Sequence, residues 1–160
     1  MGIVNVTPDS FSDGGRFAAA DDAIAHGLLL ASQGADWVDV GGESTRPGAA
    51  RIDPAAELER VLRVVQELAD AGIAVSIDTL NASTALRAVE AGARLVNDVS
   101  GGLSDPGMLA AMAEASAGRG ADVALGHCRG QSSDMLARAQ YGGVAGEVAD
   151  ELLACAVVAL

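Results

Sequence analysis

Short apolar segments alternate with longer amphipathic segments along the whole chain. The apolar segments are four to six residues long and rich in Val, Ile and Ala, which is typical of strands buried on both faces of a parallel sheet. They predict five strands, at 2–6, 35–40, 74–78, 95–99 and 122–126. Between and after them the hydrophobic period is helical, over about 19–32, 53–71, 82–91, from 105 onward and from 144 to the end. The pattern therefore predicts a run of βα units.

Residues at the ends of the predicted helices support these boundaries. Asp53 is a good N-cap for the helix at 53–71, and Pro54 suits its first turn, where a missing N–H costs no hydrogen bond. Glycine follows four helices just before the next strand, where it can adopt the left-handed conformation that ends a helix. These glycines are Gly34, Gly72, Gly92 and Gly120.

Polar residues lie at or just beyond the C-terminal end of each predicted strand: Asn5, Glu43, Asp78, Asn97 and His127. In a (β/α)₈ barrel these ends form one face, which carries the active site. A doubly wound sheet favours a phosphate loop at a switch point, and no G-x-G-x-x-G or P-loop pattern follows a strand in the sequence. We therefore expect an α/β fold, a TIM (β/α)₈ barrel that is incomplete, with about five βα units. A doubly wound sheet and a generic α/β domain without a site are the alternatives.

The composition limits which binding partners and which cellular compartment are expected. The net charge is −12, and all ten basic residues are arginines, so nucleic acid and anionic membranes are not expected partners. No apolar run is long enough to span a bilayer. Cys128 and Cys155 show no metal-ligand or redox spacing, which fits a reducing cytoplasm. With 160 residues, the chain is expected to build one core.

Four segments resemble the dihydropteroate synthase family of pterin-binding TIM barrels. They are NVTPDSFSDGG at 5–15, GGESTRPGA at 41–49, SIDT at 76–79 and NDVSG at 97–101. The first two are long and specific, whereas the last two would be weak alone. The resemblance covers all 160 residues but only about five of eight βα units. It implies that 1–160 is a partial pterin-binding barrel domain from which the C-terminal units are absent.

The resemblance implies an enzyme, a transferase of folate biosynthesis. It condenses 6-hydroxymethyl-7,8-dihydropterin pyrophosphate with p-aminobenzoate and releases pyrophosphate. Asp78 and Asn97 match the pterin-binding positions, since a carboxylate can accept two adjacent N–H groups and an amide suits a mixed edge. Thr45 and Arg46 match positions that bind the pyrophosphate, which a guanidinium grips bidentately. Asn5 also belongs to the pyrophosphate site and is the expected protein ligand of a Mg²⁺ cofactor, which needs few protein oxygens.

Two Gly-rich loops resemble the mobile substrate loops of the family. Phe11 and Asp13 match its catalytic loop, and Asp13 would face the positive charge that develops on the pterin methylene carbon. Phe11, Thr45 and Pro47 match the p-aminobenzoate pocket. A closed lid would keep water from that carbon while metal and arginine stabilise the leaving group.

Each assignment has a structural alternative. Asp78 could instead cap the following helix, Asn5 could bond to its own loop, and Arg46 could be a solvated surface base. The segment LGHCRG at 125–130 departs from the family, which commonly has methionine beside this histidine. Gly126 and Cys128 stand there instead, and we expect looser packing against the pterin.

Two other functions remain open at this stage. A pterin-dependent methyltransferase domain shares the barrel but does not need the loops at 5–15 and 41–49. A truncated, non-catalytic paralogue could act as a binding subunit, although the retained site residues argue against decay. The family's later aspartate, lysine and Arg-x-His motifs do not follow Gly130. The 160 residues alone are therefore expected to be inactive, and the full-length protein is expected to be a homodimer.

Overall fold

Five parallel strands alternate with helices in the computed structural model, which describes residues 1–6, 15–46 and 48–159, without the side chains of 15–18. The strands are β1 (Gly2–Asn5), β2 (Trp37–Gly41), β3 (Ala74–Asp78), β4 (Leu95–Asp98) and β5 (Asp122–Leu125). The helices are α1 (Gly15–Ser32), α2 (Pro54–Asp70), α3 (Ala82–Glu90), α4 (Met108–Arg119), α5 (Met135–Arg138) and α6 (Val144–Ala159). All five predicted strands are confirmed to within two residues at either end.

Three helices differ from the predicted elements. The first helix begins at Gly15, four residues earlier than the apolar pattern suggests. The fourth begins at Met108, because the Asp105 side chain accepts the N–H of Gly107 at 2.8 Å and so forms a turn before the helix. Helix α5 was not predicted, since four residues are too few to show a helical period.

The order of the strands distinguishes between the two α/β architectures. The strands pair in chain order, β1-β2-β3-β4-β5, and every pair is parallel. The helices form one continuous layer in which α1 packs on α2, α2 on α3, α3 on α4 and α4 on α6. A doubly wound sheet reverses its strand order and carries helices on both faces. The arrangement is therefore that of an open segment of a barrel with five βα units.

Helix ends follow the predicted signals. Asp53 caps α2, its Oδ1 accepting the N–H of Ala55 at 2.8 Å, and Pro54 is the first helical residue. Positive φ angles occur at the glycines that follow four helices: Gly34 (97°), Gly72 (82°), Gly92 (111°) and Gly120 (65°). None of the helices in the described part of the chain is long and apolar enough to cross a membrane.

Alternate strand residues face the helices and form the core. These residues are almost fully buried against the apolar stripes of the helices: Val4, Val38, Val40, Val75, Ile77 and Val96. Because side chains alternate along a strand, the residues between them face the opposite side of the sheet, which is the interior of a barrel. Ile3 is one of them and is 60% exposed, so this face of β1 is open to solvent.

Candidate active site

The strand register aligns one row of residues at the C-terminal edge of the sheet. Asn5 pairs with Gly41, Gly41 with Asp78, Asp78 with Asn97, and Asn97 with Ala124. All five residues belong to the face opposite the helices. Three residues that the sequence singled out, Asn5, Asp78 and Asn97, therefore lie in one row at the C-terminal end of a barrel-like sheet, the end that carries the active site in barrels.

Asp78 is largely buried in the centre of this row. Its Oδ1 is buried and has no hydrogen-bond partner among the described residues. Burial, and after it the negative charges of nearby carboxylates, that of Asp39 most, together raise the pKa of Asp78 to about 7. A buried carboxyl group with an unused acceptor and a raised pKa is a candidate for binding hydrogen-bond donors of a ligand.

Space beside Asp78 comes from Gly41. A Cβ at position 41 would lie 3.4 Å from Asp78 Oδ2, so a larger side chain there would crowd the carboxylate. The helix-capping alternative for Asp78 is not what the structure shows. Asn81 is the N-cap residue of α3, and the N–H of Ala82 donates to Asp105 Oδ2 at 2.9 Å.

Two polar side chains on the same face lie two residues before this row on β2 and β3, further from the strand ends. The sequence pattern did not single out either of them. Asp39 pairs in register with Ser76, and both belong to the face that carries Asp78. Asp39 is 6% exposed and Ser76 is fully buried. Asp39 Oδ2 accepts a hydrogen bond from Asn97 Nδ2 at 3.3 Å, whereas Asp39 Oδ1 and Ser76 Oγ have no partner in the described part of the chain. The signal in the sequence was Asp39, a charged residue between two valines of the predicted strand.

A polar network fixes the loop that follows β2. Glu43, which is buried, forms an ion pair with Arg51, with 2.9 Å between Oε1 and Nε. Arg51 also donates to Asn81 Oδ1 at 2.6 Å. Asn81 Nδ2 and Thr79 Oγ1 each donate to Glu57 Oε2 at 2.8 Å. The loops after β2 and β3 are thereby tied to each other and to α2.

Two of the three residues predicted to bind pyrophosphate, Thr45 and Arg46, lie on this loop, whereas Asn5 lies at the end of β1. Thr45 is half-buried and lines a cavity of about 240 Å³ together with Arg51, His127 and Cys128. Arg46 is exposed, and its guanidinium has no partner within 1–6, 15–46 and 48–159. Burial raises the pKa of Glu43, although the charge of Arg51 opposes that effect. The loop thus presents an exposed cation while its own carboxylate, Glu43, is already paired.

Three predicted site residues, Phe11, Asp13 and Pro47, lie outside the described residues. Their roles remain predictions.

The residues after β5 are engaged by α6. His127 Nε2 lies 2.7 Å from Glu151 Oε2. Arg129 bonds to Glu147 and Glu151, and its guanidinium carbon lies 4.1 Å from the centroid of the Tyr141 ring. Hydrogen bonds from Arg129 and then from His127 lower the pKa of Glu151 to about 2. The charge of Arg129 is balanced by two carboxylates, so this arginine is poorly placed to hold an anionic substrate.

Gly126 packs directly against the backbone after β4. A Cβ there would lie 2.6 Å from Val99 Cα and 2.9 Å from Val99 O. A side chain such as methionine does not fit at this position unless the backbone moves. Cys128 is a free, half-buried thiol, and burial raises its pKa, so it is a poor nucleophile here.

Comparisons with known proteins agree on one family. The family model described as pterin binding enzyme matches residues 1–158. The dihydropteroate synthase of Mycobacterium leprae is 52% identical over 155 residues, which cover 96% of this chain and 53% of that protein.

Solved structures match over nearly the whole chain. The dihydropteroate synthase of Clostridium difficile, crystallised in the presence of pteroic acid, has a TM-score of 0.87 at 38% identity, covering 99% of this chain and 57% of that one. The Xanthomonas albilineans enzyme with 4-aminobenzoic acid has a TM-score of 0.85 at 42% identity, covering 99% and 55%. The expected fold is confirmed, and the chain spans about half the length of the relatives it matches.

Proposed function

The chain belongs to the family of pterin-binding enzymes, and we propose that residues 1–160 form the N-terminal part of a dihydropteroate synthase barrel. The reaction joins 6-hydroxymethyl-7,8-dihydropterin pyrophosphate to p-aminobenzoate and releases pyrophosphate, as a step of folate biosynthesis. The observation that carries the proposal is the row formed by Asn5, Asp78 and Asn97, in which Asp78 has a buried acceptor without a partner.

Asp78 and Asn97 bind the pterin in this proposal. A pterin presents two adjacent N–H donors on one edge, and a carboxylate can accept both in a charge-assisted pair. Those donors would satisfy the free Oδ1 of Asp78 and oppose the burial that raises its pKa. Asn97 lies next to Asp78 in the register and adds an amide to the same edge.

Thr45 and Arg46 bind the pyrophosphate. The exposed guanidinium can approach two phosphate oxygens at once, and the network behind the loop holds its backbone in place. As the leaving group departs, a fixed cation stabilises the negative charge that accumulates on it.

Asn5 is the residue that would hold Mg²⁺. The described residues contain no group of three or more His, Cys, Asp or Glu that could form a metal cage. Mg²⁺ uses oxygen ligands, keeps several waters and binds largely to substrate phosphates, so one exposed amide oxygen at the strand edge fits its needs. When bound, the ion would neutralise charge on the pyrophosphate.

The loop motifs complete the proposal. Phe11 and Asp13 take part in catalysis by closing over the pterin and facing the developing positive charge. Phe11, Thr45 and Pro47 form the p-aminobenzoate pocket. The support is the match of both motifs, together with the 4-aminobenzoic acid found with the Xanthomonas relative.

We further propose a cytoplasmic homodimer. Both cysteines are free, which is consistent with a reducing compartment.

A chimera tests the function. Residues 1–160 would replace the matching part of the Mycobacterium leprae enzyme, which supplies the rest of the barrel. We expect formation of dihydropteroate from the two substrates with Mg²⁺, and loss of turnover on Arg46→Ala. Arg119→Ala is the matched control, because Arg119 is also exposed but lies where α4 ends, at the opposite end of the barrel. A folded chimera without turnover, or one in which Arg46→Ala is fully active, would refute the proposal.

A further inference from the structure

Asp39 has no part in the function proposed so far, yet it touches a residue that does. It lies in the middle of β2, is 6% exposed, and accepts a hydrogen bond from Asn97 Nδ2 at 3.3 Å. Asn97 belongs to β4, so the contact crosses β3. In a barrel the inward side chains of alternate strands share a layer, and this contact is of that kind.

We propose that Asp39 is a positioning residue that locks the amide of Asn97 and thereby makes the site select the exocyclic amino group of a pterin over an oxygen. The inference rests on the proposed function and extends it to a determinant of specificity.

The lock follows from the chemistry of the two groups. A carboxylate offers only acceptors, whereas an amide has a donor end and an acceptor end. Asn97 must therefore turn its NH₂ group towards Asp39, which leaves Oδ1 as the end available to a ligand. Asp78 also offers an acceptor, its Oδ1. Two fixed acceptors favour a ligand edge that carries N–H donors.

Stability alone does not explain a carboxylate at this position. A buried carboxylate that receives one hydrogen bond is costly, and Asp39 Oδ1 has no partner among the described residues. Its charge also raises the pKa of Asp78, second only to burial. Both effects destabilise the folded protein without a ligand and favour binding of a ligand that brings hydrogen-bond donors.

Asp39→Asn in the chimera is the test. An asparagine can accept from the amide of Asn97 or donate to it, so both orientations of Asn97 become available. The two probes are 6-hydroxymethylpterin and 6-hydroxymethyllumazine, in which an oxygen replaces the amino group. Calorimetry should show that the preference for the pterin falls by about tenfold, the effect of one misdirected hydrogen bond. A purely structural role would weaken both probes equally.

Two controls test whether a changed preference comes from Asp39 acting through Asn97 or from the loss of a negative charge. Asp36→Asn removes an exposed carboxylate just before the same strand and should leave the preference unchanged. In an Asn97→Ala background, Asp39→Asn should also leave the preference unchanged, because Asp39 acts through Asn97. If Asp39→Asn does not fold, Asp39→Ser, which also offers both a donor and an acceptor, should lower the preference for the pterin in the same way.

The outcomes distinguish this inference from the proposed function. If the unmodified chimera fails to bind the pterin, or if Asp78→Ala still binds it normally, the pterin site itself is wrong. If the pterin binds and Asp78→Ala loses it, but Asp39→Asn keeps the original preference, the positioning role of Asp39 is overturned.

Discussion

Replacing Asp78 by asparagine should make the folded protein more stable at neutral pH while abolishing pterin binding. The carboxyl is buried, and its free Oδ1 and raised pKa both show an environment poorly suited to a negative charge. Asparagine has nearly the same shape and carries no charge. A residue that destabilises its own fold in this way is expected at a binding site.

The size of the effect follows from the pKa. A shift from 3.8 to about 7 is a difference of about three units, and each unit corresponds to about 1.4 kcal/mol. The upper limit is therefore about 4 kcal/mol, and because Asp78 is largely but not fully buried we expect about 1–3 kcal/mol. Loss of the charge-assisted pair should in turn weaken pterin binding by at least about 2 kcal/mol.

The pH dependence has a definite sign. Between pH 3.8 and about 7 the folded state keeps a proton on Asp78 that the unfolded state releases. The wild-type protein therefore loses stability as the pH rises through this window, and the loss is complete above about pH 7. Asparagine has no such proton, so the advantage of Asp78→Asn should be small near pH 4, grow with pH and level off above 7.

Urea unfolding of the chimera at pH 5 and pH 8 measures this difference. The stability gain of Asp78→Asn should be larger at pH 8 by about 1–2 kcal/mol. Asp36→Asn, which removes an exposed carboxylate at the other end of the barrel, controls for the change in net charge. A variant that is destabilised equally at both pH values, or that binds pterin normally, would show that Asp78 is a structural residue.

Three further predictions concern the loops and the isolated chain. Arg46→Lys should not restore the turnover lost in Arg46→Ala, because an ammonium group lacks the forked geometry, and steady-state kinetics would reveal any rescue. Gly126→Met should lower the free energy of unfolding by about 1–3 kcal/mol, because its Cβ would lie 2.6 Å from Val99 Cα. If urea unfolding gives an unchanged free energy, the backbone at this position moves at little cost. Residues 1–160 alone should associate and show little turnover, because apolar side chains such as Ile3 (60%) and Val157 (77%) are exposed; a monodisperse, active monomer in light scattering and assay would contradict this.

Much of the fold was accessible from the sequence because its signals are local. Strands buried on both faces give continuous apolar runs, and glycines such as Gly72 and Gly92 mark helix ends through their positive φ. The cap at Asp53 depends on two neighbouring residues. Helix α5 was missed because a helix of one turn has no measurable period.

The supporting side chains of the site were not accessible in the same way. Glu57 is 22 residues away from Thr79 and 24 from Asn81, the residues that bond to it, and no helical or strand pattern encodes those partners. Asp39 and Asn97 are 58 residues apart. Motifs predict which residues touch substrate, whereas the residues that contact them from behind emerge only from tertiary packing.

The distribution of charge across the site favours one orientation of the proposed substrate. The chain has a net charge of −12, and on the inner face of the strands Asp39 is buried and Asp78 largely buried. The exposed cation Arg46 and the amide of Asn5 lie at and beyond the strand edge. A pterin pyrophosphate that entered phosphate first would bring its negative charge against two buried carboxylates, where repulsion is weakly screened. In the proposed complex the pterin edge therefore points inwards, its N–H groups towards the carboxylates, and the pyrophosphate lies at the mouth. In that orientation the leaving group departs towards solvent, and the acidic interior favours the positive charge that develops on the methylene carbon.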